Sequence, residues 1–220
     1  MVKERPIIFS GPMIRAILDG RKTQTRRVVK PQPQLINGKF EMSSSESDAW
    51  PEPCVWLALT PSGKFGLNAP PYYKCPYGNP GDRLWVRETW RPCGDDEMSM
   101  ARIEALRPSI AYKADEEWDN DSKWKPSIHM PRWASRILLE ITDIRVERLK
   151  EISGEDACLE GTGFIDRRGD LCHAGNHPSY SISIFSRLWD SINGKKPGCS
   201  WANNPWVWVV EFKKVGDTEA

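Results

Sequence analysis

No stretch of this 220-residue chain approaches the roughly 20 consecutive apolar residues of a membrane-crossing helix, so a helical membrane protein is not expected. Net charge is nearly absent: 31 Lys plus Arg stand against 30 Asp plus Glu, leaving +1. A generic nucleic-acid coat would be strongly basic, so any grip on an anion must come from local clusters. The six cysteines (54, 75, 93, 158, 172, 199) contain no CxxC pair. Cys172, His173 and His177, with Cys199 beyond, have the ligand types for zinc but fit no standard zinc spacing, and neither metal nor cofactor is expected. GxGxxG, Walker A, HExxH and GxSxG are all missing, which removes the most readable enzyme classes. The first residues, MVKERPIIFS, carry charge without a long apolar region or a small-residue cleavage site. No signal peptide is expected there, and the expected location is cytoplasmic.

What is present describes a globular protein, with 28% charged and 39% apolar residues in a chain long enough to bury a core. Tryptophan is abundant, at 11 residues. Indoles stack on bases, but they also pack cores, and composition does not choose between these uses.

Ile7, Ile8 and Phe9 read as a short strand. Ser10 suits a helix N-cap and Pro12 the first turn. Met13, Ile14, Ile17 and Leu18 recur at helical spacing, and Gly20 is a natural stop. Residues 31–80, with PQPQ, SSSES, PEP and APP, read as loop, as do residues 91–127 with their acidic run from Asp115 to Asp121. Between them RLWVRETW alternates as a strand. RILLEITDIRVERL (136–149) and PWVWVVEFKKV near the end are strand-rich. Ser153 and Asp156 have capping-box spacing before a short helix that stops at Gly161. Ile182, Phe185, Trp189 and Ile192 mark a longer amphipathic helix closed by Asn193-Gly194. The element order is not the alternation of a doubly wound sheet. It predicts one α+β domain over 1–220: a small, mostly antiparallel β-barrel flanked by helices, with loop-rich insertions at about 31–80 and 91–125.

GRKTQTRR (20–27) packs four cations and two threonines behind a glycine with no acid among them. Three readings compete: a solvated turn, a grip on a polyanion, or a lysine and threonine set for chemistry. A threonine hydroxyl attacks only when a base takes its proton. Lys22 can be that base only when neutral, and burial together with Arg21, Arg26 and Arg27 would push its pKa down from about 10.4. The same arginines suit an anionic group. In an ideal strand Lys22 and Thr25 face opposite ways, so a bend is required to bring them together.

These eight residues resemble the signature of the ASCH domain, a PUA-like β-barrel superfamily associated with RNA and written GxKxxExR. Gly20, Lys22 and Arg27 are in place, and Thr25 stands where the glutamate usually is. That departure resembles the subgroup of small bacterial amidohydrolases that deacetylate N4-acetylcytidine and read GRKTxTxR. The resemblance implies that Lys22 and Thr25 are catalytic together with an acid at the end of a later helix. LKEISGEDACLE (149–160) aligns without a gap and places that acid at Glu160. PGDRLWV (80–86) is similar to the GDxLxV strand, Val210-Glu211-Phe212-Lys213 to the closing strand, and PSIHMPRWASR (126–136) to a segment of phage-type members.

On this resemblance the expected function is amide hydrolysis of an acylated or modified cytidine, as a nucleoside or in RNA. Thr25 attacks or positions water, Lys22 takes the proton, Glu160 orients Lys22 or relays a proton, and Arg27 or a backbone amide holds the oxyanion. Arg21, Arg26, Arg27, Arg87 and Arg132 are expected to bind substrate, with Trp85, His129 and Trp133 flanking the base. The alternative is an RNA-binding module or ribonuclease using the same basic cleft, and the plainest reading is an accessory protein with an inert motif.

Overall fold

The structure is a computed structural model that describes residues 2–32, 34–36, 39–41, 58–59, 65–66, 75–93, 98–115, 123–165, 171–172 and 178–216. The chain opens with strand β1 (Glu4–Ile8) and helix α1 (Gly11–Leu18). Ser10 is the extended N-cap residue and Pro12 sits in the first turn, but the Ser10 side chain makes no capping hydrogen bond. At the other end Gly20 adopts φ +74°. Its N–H donates to Ile17 O at 3.1 Å, and the Arg21 N–H donates to Ala16 O at 2.8 Å. This paired pattern is a Schellman turn, which glycine permits at no steric cost. Strand β2 (Gln24–Val28) leaves directly from it.

Within 31–80, short antiparallel pairs form between β3 (Gln34–Ile36) and β4 (Lys39–Glu41) and between β5 (Ala58–Leu59) and β6 (Phe65–Gly66). Strand β7 (Arg83–Arg87) follows. The 91–127 stretch is not the irregular segment its sequence suggested. There β8 (Trp90–Pro92) pairs antiparallel with β9 (Ile110–Tyr112), and α2 (Met100–Leu106) lies between them. The helix is capped by Ser99, whose hydroxyl accepts from the Arg102 N–H. Trp90, Met98, Ile103, Met130 and Ala134 form a satellite core under these elements. Met130 and Ala134 come from outside the stretch, so its local periodicity understates how much apolar surface it buries.

The long strand β10 (Leu138–Arg148) leads to α3 (Gly154–Leu159). A short antiparallel pair, β11 (Phe164–Ile165) with β12 (Leu171–Cys172), precedes α4 (Pro178–Asn193). Strand β13 (Trp206–Lys214) completes the main sheet, whose order is β1-β7-β10-β13-β2. Only β1 and β7 pair parallel, and the other three neighbour pairs are antiparallel.

The α+β class therefore holds, but the sheet is open and not a closed barrel: no ladder joins β1 to β2 among the described residues. A side chain spans the gap instead, with Arg27 Nη2 donating to Ile8 O at 2.7 Å. The chain between the two edge strands folds as α1, which packs Ile14 and Ile17 into the core.

Both faces of β13 are buried, which explains its unbroken apolar run. Trp206, Trp208, Val210 and Phe212 face the main core with Ile7, Ile14, Leu84 and Leu139. Val207 and Val209 face a second core with Ala157, Phe185 and Trp189 of α3 and α4. Among the described residues no helix is long and apolar enough to cross a membrane.

Candidate active site

Two helix ends build the site. α3 stops as α1 does: the Gly161 N–H donates to Cys158 O at 2.8 Å and the Thr162 N–H to Ala157 O at 3.4 Å. Gly161 has φ +96°. The expected capping box is present at the start of α3, where Ser153 Oγ accepts from the Asp156 N–H at 3.0 Å and the Asp156 carboxylate accepts from the Ser153 N–H. Glu160 is the last residue before the Gly161 turn and Lys22 the second after the Gly20 turn, and the two backbones meet as an antiparallel bridge. The Thr23 N–H donates to Leu159 O at 3.0 Å, next to that bridge. Arg21 clamps the junction from outside, donating to the carbonyls of Gly161 and Gly163 and to Asp19. It was expected to crowd Lys22 or bind substrate, and its guanidinium is spent on this clamp.

The Lys22 side chain is fully buried. Its Nζ donates to Glu160 Oε2 at 2.8 Å, Glu160 O at 2.9 Å and Gln24 O at 2.8 Å. Three acceptors match the three N–H bonds of an ammonium. Burial pushes its pKa below the ordinary lysine value. The Glu160 carboxylate opposes that shift, and Arg27 and Arg26 reinforce it. Arg26, also fully buried, faces a carboxylate oxygen with every guanidinium nitrogen: Glu147 Oε1 from Nε at 2.8 Å and from Nη2 at 2.5 Å, Glu160 Oε1 at 3.2 Å and Asp156 Oδ2 at 3.3 Å. Arg145 joins Glu147, Asp156 and Glu211 at the edge of this network. Arg26 thus holds the acids in place and has little left for a substrate.

Thr25, on β2, is buried. Among the described residues nothing hydrogen-bonds its hydroxyl. It lines a cavity of about 430 Å³ together with Arg26, Arg27, Glu160, Tyr77 and Trp208. The opposite wall is α4, through Phe185, Leu188, Trp189 and Ile192. Such a volume with mostly apolar walls suits a small planar ligand. Lys22 does not line this cavity; it borders a separate one of about 480 Å³ with Thr23, Phe212 and Lys213. Glu160 therefore stands between Lys22 and the space that Thr25 faces.

The other expected substrate residues lie elsewhere. Trp85 is nearly buried, between the Arg87 guanidinium at 4.5 Å and that of Arg132 at 6.0 Å. Arg132 also pairs with Glu4 at 2.8 Å. His129 is exposed. Trp133 packs against the satellite core, and its indole N–H donates to Glu104 at 2.8 Å. None of Trp85, Arg87, His129, Arg132 and Trp133 lines the Thr25 cavity. His173 and His177, and the side chain of Cys172, lie outside the described residues.

Comparison with protein-family models, curated proteins and solved structures yields no match to the chain.

Sequence reasoning missed Glu147 and Asp156 as Arg26 partners, and it missed the aromatic wall. The α4 stripe of Phe185 and Trp189 reads as core at helical spacing; the usable signal is Leu188, an apolar residue beside that stripe that widens the face.

Proposed function

We propose that the protein is an ASCH-type chain with an opened PUA-like barrel, and that it hydrolyses the amide of an acylated cytidine, N4-acetylcytidine or a close relative. One observation carries this reading: Glu160, held 2.8 Å from the buried Lys22 ammonium, borders the same cavity as Thr25. Lys22 and Glu160 act as a proton store, because the 2.8 Å hydrogen bond between them is within proton-transfer reach. Thr25 Oγ bonds to the acyl carbon as its proton moves to the pair. The C–N bond then breaks as the pair returns a proton to the departing amino nitrogen. Water cleaves the resulting threonine ester, releasing the carboxylic acid and restoring the hydroxyl. The lowered pKa of Lys22 helps it to release a proton. The aromatic cavity walls suit the cytosine ring.

The test is incubation of the purified protein with N4-acetylcytidine and, separately, with labelled RNA. Acetate release that disappears in Thr25→Ala and in Glu160→Gln supports the hydrolase. RNA shortening without acetate release, or RNA retention with neither reaction, overturns it in favour of a nuclease or a binder.

A further inference from the structure

Among the described residues, three cations at the Thr25 cavity have no carboxylate partner. Among the described residues that line it, Glu160 is the one carboxylate, and Lys22 and Arg26 already occupy it. Arg27 donates one N–H to Ile8 O and lies 5.2 Å over the Phe9 ring, while its buried Nε has no acceptor among the described residues. Lys30 forms no hydrogen bond or ion pair among the described residues. Its backbone is nonetheless held in place. Gln32 Nε2 donates to Val29 O at 2.6 Å and to Trp206 O at 3.0 Å, and Gln32 Oε1 accepts from the Trp206 N–H at 2.8 Å. Lys196, just past α4, spends one donor on Asn193 Oδ1 at 2.9 Å. Its loop is tied down by the Trp189 indole N–H, which donates to Cys199 O at 2.8 Å.

We infer that the cavity takes a phosphorylated nucleoside, with the phosphate held by Arg27, Lys30 and Lys196 and the base against the aromatic wall. The inference rests on the nucleoside reading of the same cavity and adds the anion. Cations without carboxylate partners among the described residues, beside backbone fixed from behind, leave donors for phosphate oxygens. The phosphate belongs either to a free mononucleotide or to the backbone of an RNA strand, since both present the same oxygens.

The experiment is calorimetric titration of the full chain carrying Thr25→Ala with cytidine, cytidine 5′-monophosphate, adenosine 5′-monophosphate and a short oligocytidylate. The expected result is that the cytidine monophosphate binds about tenfold or more tighter than cytidine. That advantage falls away in Lys30→Ala, in Lys196→Glu and as salt rises. A monophosphate that outbinds the oligomer assigns the site to mononucleotides, and the reverse order assigns it to RNA. Equal affinity for cytidine and its monophosphate, or no binding of any probe, overturns the inference. If the two monophosphates bind equally and N4-acetylcytidine is not hydrolysed by the unmodified chain, the phosphate site stands and the cytidine reading falls.

Discussion

Lys22 Nζ and Glu160 Oε2 lie 2.8 Å apart across 138 residues of sequence, and the same two residues also pair through their backbones. Side-chain and main-chain contacts therefore fix the pair together, at the place where two glycine-ended helices abut.

Breaking that pair from the acid side leaves a buried ammonium with carbonyl acceptors alone and strips Arg26 Nη1 of its partner. Glu160→Ala is expected to cost about 3–5 kcal/mol, read by urea unfolding at neutral pH. Lys22→Met costs less, because Glu160 keeps Arg26. The double variant Lys22→Met/Glu160→Leu loses less than the two single losses added together. Strict additivity would mean that the two residues are not coupled.

The pH dependence of Lys22 has a definite sign. Burial lowers its folded pKa from the ordinary 10.5, so between the folded value and 10.5 the folded chain binds fewer protons than the unfolded chain. Stability from this group rises with pH across that window. The stability difference between the unmodified chain and Lys22→Met should therefore shift in favour of lysine as pH climbs toward 10.5. A flat difference would contradict the lowered pKa.

On the acid side two carboxylates oppose each other. Burial alone would raise Asp156, but the Gln24 hydrogen bond, Arg26, Ser153 and Arg145 together hold it below 3.8, so its contribution is lost as pH falls through its folded value. Burial raises Glu88 above 4.5 despite its bond to Arg136, so its contribution improves as pH falls through its folded value toward 4.5. In denaturation scans, Asp156→Asn is expected to flatten the loss of stability below 3.8. Glu88→Gln is expected to flatten a gain just above 4.5.

The two turn glycines separate strain from crowding. A Cβ at Gly20 meets nothing within 4 Å, so Gly20→Ala should cost only the left-handed strain, about 1–2 kcal/mol. A Cβ at Gly161 comes within 3.0 Å of Ala16 Cβ and 3.4 Å of Lys22 Cβ. Gly161→Ala should cost more in thermal unfolding and should also lower acetate release, because it pushes Glu160 and Lys22 apart. Equal costs for the two variants would refute the crowding.

Thr25→Val removes a hydroxyl that no described group hydrogen-bonds, while keeping the side-chain shape. Its unfolding midpoint should stay level or rise, since nothing loses a partner. Acetate release from N4-acetylcytidine should vanish, and Thr25→Ser should keep part of it. A fully active Thr25→Val would remove Thr25 from the chemistry.

Elements whose signals are local were readable from the residues. α1 with its Gly20 stop, the Ser153–Asp156 capping box, α4 closing at Asn193 and the strands β7, β10 and β13 all follow from periodicity or turn chemistry within a few residues. The strand–helix–strand unit of 90–112 was not, because its strands are three residues long and its core partners come from residues 130 and 134. The lysine, threonine and acid could be picked out by motif spacing. Their arrangement could not: Thr25 shares a cavity with Glu160 and not with Lys22.

By itself the sequence determined where helices stop, which strands alternate and which residues could carry a proton, since each depends on neighbours within a turn or a pleat. Only the tertiary structure decided that the sheet stays open, that Arg26 is consumed by three acids, and that the aromatic face of α4 walls a cavity. The physical reason is that burial and charge pairing are set by groups more than a hundred residues apart, whose meeting no local pattern encodes.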